Sequence, residues 1–410
     1  MANDKTKKFN RWIPVIASIT IQLTLGTAYI WGVFQPAVVK LFSWPQATAA
    51  LTFSFLLGVL TLGSVVGGML QAKFSIKPVI IGGGIILGVG FFLASFTTAQ
   101  IPWWLWLTYG IIGGFGMGTV YTTTIACCQK WFPDKRGFIS GIIVSALGFG
   151  GLVFTPVAQT LINTRGVLET FAWFAVIFII VCVTGAQFIK DPPDGYKPEG
   201  WTPPAANNKS IKAQDFTPLE VIKTPQFYIV TFVLMLACMA GLMIIPFAKV
   251  IGIAGGLSPA VATSGVMVIS IFNSSGRLFW GWLSDKIGRK NTVLILLILA
   301  GVSILFVANA QMYTILVLIA IVGFSYGGFL GVFPALTADY WGVRNASVNY
   351  GMVLLGFGIG AVAASFIAGY IKDTTGGFNL AFIIASLASF AGVILLLFLK
   401  PPMVKKEKIK

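Results

Sequence analysis

Twelve apolar runs, each long enough to cross a bilayer as a helix, alternate with polar loops along the 410 residues. A hydrocarbon core of about 30 Å takes about 20 helical residues. The runs cover approximately 12–38, 48–72, 78–97, 103–130, 137–162 and 169–189, then 226–252, 258–284, 291–309, 312–339, 345–371 and 378–399. They are far longer than barrel strands and lack strict alternation, so helices are predicted. Only 10% of the residues are charged and mean hydropathy is +0.89; soluble domains carry roughly 25% charged residues. Such a chain cannot cover itself with a polar surface, and its solvent is lipid.

The formal net charge of +16 does not mark a nucleic-acid binder, because the basic residues sit in short runs between apolar segments rather than on one continuous face. With the amino terminus placed in the cytoplasm, 23 of the 28 Lys and Arg residues fall on the cytoplasmic side. Positive loops stay inside, so both termini are expected to be cytoplasmic in a multi-pass protein of the plasma (inner) membrane. The polar start, Met1 to Arg11, leads into a run too long for a signal peptide. The four cysteines lie in apolar segments and there is no histidine. A metal site, a disulfide framework and a His-dependent catalytic group are therefore not expected, and neither is a cofactor.

The longest polar stretch, Lys190 to Thr224, divides the chain. The expected organisation is a six-helix bundle over 1–189, a cytoplasmic linker over 190–224, and a second six-helix bundle over 225–410. Thr217-Pro218-Leu219-Glu220 has the form of a capping box with Pro at the first helical position and predicts a short helix. The halves echo each other. Gly281-Trp-Leu-Ser-Asp285-Lys286-Ile-Gly288-Arg289-Lys290 follows the eighth run, and Gly68-Met-Leu-Gln-Ala72-Lys73-Phe-Ser75-Ile-Lys77 follows the second. Leu147-Gly148-Phe149-Gly150 is matched by Leu355-Gly356-Phe357-Gly358. A duplicated six-helix unit is the pattern of a carrier whose halves rock about a midplane site.

The loop from Gly281 to Lys290 resembles the signature of the major facilitator superfamily. Further stretches are Gly26-Thr-Ala-Tyr29-Ile-Trp31, Gly114-Phe-Gly116-Met-Gly118-Thr-Val-Tyr121, Trp131-Phe-Pro-Asp-Lys-Arg-Gly137 and Thr224-Pro-Gln-Phe227. With Phe272-Asn273 and Arg277 they resemble the oxalate/formate antiporter and monocarboxylate transporter group. The resemblance implies an all-α membrane protein of twelve transmembrane helices in two pseudo-symmetric bundles, carrying small carboxylates by alternating access.

Arg277 lies deep in the eighth run, where an arginine costs roughly 2.5–3.5 kcal/mol and needs a reason. Thr263, Ser270, Asn273, Ser274 and Arg277 share one helical face, which is expected to line a wet interior. All twelve acids map to loops, tails or helix ends. In the resembled group this arginine binds the substrate carboxylate, which its planar fork grips bidentately. Tyr29, Tyr121 and Tyr326 sit mid-run and offer rings and hydroxyls to a substrate. Asp285 and Arg289 are expected to form a gating loop, since in the superfamily this loop holds the outward-facing state.

Departures from the group refine the substrate. Oxalate exchangers carry a lysine in helix 11 where this chain has Gly358, so one buried charge matches a monoanion. Animal monocarboxylate transporters carry an acid where this chain has Asn273, and a lysine in helix 1 that is missing here. Lys249 is the other cation near the pathway and reads as an interfacial residue. The function expected is secondary active transport of lactate- or pyruvate-type monocarboxylates by proton-coupled symport, with no enzymatic activity and with the substrate's own carboxylate sharing the proton. A carboxylate exchanger, a passive channel and a non-transporting membrane sensor are the rivals. The partners expected are the substrate, protons and membrane lipids, and the chain is expected to act as a monomer. The orientation has a direct check: Asn208→Cys should resist a membrane-impermeant maleimide in intact cells, and ready labelling from outside would reverse the topology.

Overall fold

The computed structural model describes residues 9–26, 30–193, 195–198 and 215–402. Tyr29, Asn208 and the centre of the linker lie outside the described residues, as does the side chain of Lys249.

The first run is two helices, α1 (Trp12–Leu25) and α2 (Trp31–Phe42). The second and third are α3 (Gln46–Lys73) and α4 (Ile76–Ala94). The fourth begins as α5 (Pro102–Leu105), widens to a π-helical stretch at Trp106–Gly113, and continues as α6 (Gly114–Trp131). The fifth and sixth are α7 (Arg136–Arg165) and α8 (Val167–Ala186). A single turn, α9 (Pro218–Val221), precedes the second half. There α10 (Pro225–Ile244) and α11 (Ala248–Ala254) share the seventh run. The rest are α12 (Pro259–Ile287), α13 (Arg289–Val307), α14 (Tyr313–Trp341), α15 (Ala346–Thr375) and α16 (Asn379–Leu397).

The fourth and seventh runs, predicted as continuous, are therefore irregular. At Gly26, beyond the end of α1, a side chain would strike the Leu147 carbonyl and the Gly150 backbone of α7. The π-helical stretch is flanked by the indoles of Trp104 and Trp106, which donate to the carbonyls of Leu93 and Thr48. Pro246 supplies no amide hydrogen, and the chain passes through a 3-10 turn at Ile245–Phe247. The capping box is present: the Glu220 carboxylate accepts from the Thr217 amide at 3.0 Å, and the cap opens α9.

Two long seams join the halves, α7 against α12 and α3 against α15. Lipid gives apolar side chains no reason to prefer one another, so such seams are built from small residues and hydrogen bonds. Gly137 and Gly281 meet backbone to backbone. Ser145 donates to the Ser274 carbonyl at 2.7 Å, and Ser347 donates to the Thr122 hydroxyl at 3.3 Å. Both seams are tight at the end that carries the loops after α3 and α12, the basic face of the molecule. Towards the opposite face the same helix faces lose their cover: Leu152 of α7, Met267 and Ile271 of α12, and Val362 of α15 are all exposed.

A charged cluster closes the basic face. Asp285 of α12 accepts from the amides of Gly137 and Phe138 at 3.0 and 2.8 Å, so a carboxylate of one half caps the first turn of α7 in the other. Arg289 pairs with Asp285 at 2.6 Å and donates to Asp339 at 2.8 Å. Arg136 of the first half reaches the other Asp339 oxygen at 2.8 Å. Asp339 thus sits between two arginines, one from each half.

Partly exposed charge pairs are worth about 0.2–1 kcal/mol each, and Asp339 bridges two of them. Asp339→Asn should raise the population with a parted basic face roughly two- to thirtyfold. The check is the distance distribution between spin labels at Lys135→Cys and Lys286→Cys. A distribution unchanged by Asp339→Asn would show that the cluster does not hold the seam.

Candidate functional site

Helical spacing places Asn273 and Arg277 one turn apart on α12. Arg277 has no solvent exposure and Asn273 is 6% exposed. The Arg277 Nε donates to Asn273 Oδ1 at 3.0 Å, which fixes the plane of the guanidinium. Its Nη1 donates to the Val144 carbonyl of α7 at 2.8 Å. That second bond crosses from one half to the other. Gly331 lets α14 pass directly against the Arg277 backbone, where a side chain would meet the Arg277 carbonyl.

The two described bonds of Arg277 go to neutral acceptors. The guanidinium borders a small cavity of about 40 Å³ between the halves. Tyr121 enters it from α6, and Leu57, Leu147, Leu330, Leu354 and Phe357 supply an apolar wall. The lining holds one cation, one hydroxyl and no carboxylate. A water-excluding wall strengthens whatever charge pairs form inside it.

Tyr121 is itself held in place. The Gln22 amide donates to the Tyr121 carbonyl at 3.1 Å and to the Thr124 hydroxyl at 2.8 Å, tying α6 to α1. The Tyr121 hydroxyl lies 3.5 Å from that of Tyr350 on α15, again across the halves. Arg277 bonds Asn273, borders the cavity with Tyr121, and Tyr121 meets Tyr350, so the four form one polar cluster to which each half contributes.

The structure brings three of the residues expected from sequence together: Arg277, Asn273 and Tyr121. Tyr326 stands elsewhere. It is buried on α14, its ring packs where a side chain on Gly241 would be, and it does not line the cavity. Tyr29 lies outside the described residues. Asp285 and Arg289 stand at the basic face, in the closing cluster described above. Gly358 is buried against the Thr61 side chain and does not border the cavity, whereas Leu354 and Phe357 of the same helix do.

Sequence reasoning missed Tyr350, Asp339 and the Val144 carbonyl. Tyr350 had a signal, since it shares a face with Leu354 and Phe357 at i, i+4 and i+7. A backbone carbonyl leaves no trace in side-chain identity, so the Val144 contact had none.

Comparison with known proteins agrees with this architecture. The chain matches the Major Facilitator Superfamily over residues 16–278 and 230–410. The uncharacterized MFS-type transporter YhjX of Escherichia coli (strain K12) is 36% identical, with 86% of each chain covered. The oxalate:formate antiporter of Oxalobacter formigenes is 28% identical, covering 97% of this chain and 94% of that one. Monocarboxylate transporter 13 of Rattus norvegicus is 25% identical, covering 93% of this chain and 87% of that one. A solved structure of the E. coli transporter FucP in the outward conformation has the same fold, with 15% identity and a TM-score of 0.73 over 95% of this chain and 99% of that one. Twelve transmembrane helices in two six-helix bundles, the duplicated loop signature and this match over nearly the whole sequence place the chain in the Major Facilitator Superfamily.

Proposed function

We propose that the protein is a secondary active transporter of short-chain monocarboxylates, of the lactate and pyruvate type, working by alternating access in the plasma membrane with its basic face towards the cytoplasm. The observation that carries this reading is the single buried guanidinium bordering an apolar cavity. The planar Arg277 fork suits the two oxygens of a carboxylate. Tyr121 donates a third hydrogen bond, and the Leu and Phe wall takes the carbon body.

One cation fits one carboxylate. A dianion would place its second charge against leucine, at a desolvation cost that nothing in the lining offsets. The similarity to an oxalate:formate antiporter supports anionic substrates, and the similarity to a monocarboxylate transporter supports a single charge.

The coupling mode proposed is proton symport. The cavity lining has no carboxylate and the chain has no histidine. The substrate's carboxylate is then the base that takes the proton, and taking it releases the Arg277 fork, so the bound anion and the protonated acid are successive states of the cycle. The alternating-access cycle uses the two ends of the seam: with the basic face pinned by Asp285 and Asp339, the cavity is served from the other face, and release of the cluster reverses access.

Uptake of labelled lactate into proteoliposomes tests the reading. Losing a buried charged partner costs about 2–5 kcal/mol, so Arg277→Ala should weaken lactate affinity roughly thirty- to several-thousandfold. Arg277→Lys keeps the charge but not the fork and should also fall substantially. Near-normal transport by Arg277→Ala would remove the proposed site. Excess oxalate should inhibit lactate uptake poorly, and inhibition equal to that by unlabelled lactate would refute the single-charge argument. An imposed inward proton gradient should accelerate uptake into empty vesicles. Uptake that instead requires internal carboxylate would identify an exchanger.

A further inference from the structure

The two echoing loops handle their charge differently. After α12, Asp285 and Arg289 pair with each other and with Asp339. Lys286 lies over the Trp282 ring, and Lys290 donates to the carbonyls of Leu397 and Leu399. After α3 the acid position is Ala72, while Lys73 and Lys77 keep the basic positions. Among the described residues neither lysine has a carboxylate within ion-pair distance. The first repeat keeps two of the three cations, has Ile76 in the place of Arg289, and lacks the acid.

Beside these lysines lies a groove of about 270 Å³ between α3, α4 and α6. Its wall is almost wholly apolar, and includes Leu70, Phe74, Gly82, Ile86 and Phe115. Phe74 and Pro78, each adjoining one of the lysines in sequence, line it, and Phe74 is 58% exposed. The groove therefore opens beside the segment that carries both lysines and extends along the apolar flank of the bundle. The molecule that matches this layout has an anionic head and a hydrocarbon tail, and the surrounding leaflet supplies it.

We propose that this groove is a binding site for an anionic phospholipid, its phosphate held by Lys73 and Lys77 and one acyl chain lying along Leu70, Ile86 and Phe115. The occupied groove backs α3, the helix that forms the seam with α15, so the lipid neutralises the loop of that seam from outside. Each lysine near an anionic leaflet contributes roughly fivefold in affinity.

The structure offers separate substitutions for head and tail. Lys73→Gln with Lys77→Gln removes the cations. Gly82 lines the groove and has nothing within 4 Å of where a Cβ would stand, so Gly82→Leu adds bulk to the groove from an open position. Lys286→Gln with Lys290→Gln removes equal charge from the other loop and is the control. Native mass spectrometry of the full chain in detergent, with phosphatidylglycerol and phosphatidylcholine of identical acyl chains, reads the result.

The intact protein should retain phosphatidylglycerol at least tenfold better than phosphatidylcholine. The Lys73 and Lys77 double variant should lose that preference, the Lys286 and Lys290 control should keep it, and Gly82→Leu should lose the bound lipid of either kind. Excess inorganic phosphate should not displace phosphatidylglycerol. Equal retention of the two lipids by the intact protein, equal loss of preference in the control, retention by Gly82→Leu, or displacement by phosphate would each overturn the proposal.

Discussion

The burial of one guanidinium between the two halves is the interaction on which the rest of the structure depends. Arg277 has no solvent exposure, and a charge so placed must be met by oriented dipoles or by an anion. The chain supplies dipoles from both sides: the Asn273 amide oxygen from its own helix and the Val144 carbonyl from the opposite half. Much around it follows from this arrangement. Gly331 is free of a side chain so that α14 can pass the Arg277 backbone, and the apolar wall excludes the water that would otherwise compete.

The same arrangement connects the site to the seam. The bond from Arg277 to Val144 lies on the line of contacts that runs from Gly137 and Gly281 through Ser145 and Ser274. Under the proposed function, a carboxylate taken by the guanidinium would compete with the Val144 carbonyl for the same donors. Ligand and seam would then draw on one set of hydrogen bonds, a physical basis for coupling occupancy to the movement of the halves. The cluster of Arg136, Asp285, Arg289 and Asp339 works farther out, at the basic face, where it is partly exposed and correspondingly weaker for each pair.

Much of this was legible in the sequence because lipid permits few solutions. The spans follow from run length, and the break between halves follows from the polar stretch with its capping box. Arg277 and Asn273 were legible because helical spacing of polar residues in an apolar run is a strong signal. The irregular stretches in the fourth and seventh spans were less visible, since glycine and proline are common in membrane helices and only neighbouring backbone decides where they interrupt one. Tyr326 shows the limit from the other side. Its position mid-run matched that of Tyr121, but Gly241 offers it a packing site, and no periodicity in its own helix distinguishes that role from a ligand's. The partners that cross between the halves, Asp339 with Arg136 and Tyr350 with Tyr121, depend on tertiary approach between segments more than two hundred residues apart.

The central claim is that Arg277 receives a substrate carboxylate in exchange for the Val144 carbonyl. A cryo-electron-microscopy structure of the protein with lactate bound, at a resolution that shows the guanidinium plane, tests it most directly. The account requires both carboxylate oxygens within hydrogen-bonding distance of Arg277, the carbon body against Leu147 and Phe357, and the Val144 contact lengthened. Lactate bound elsewhere in the bundle, with the Arg277 to Val144 bond intact, would contradict it.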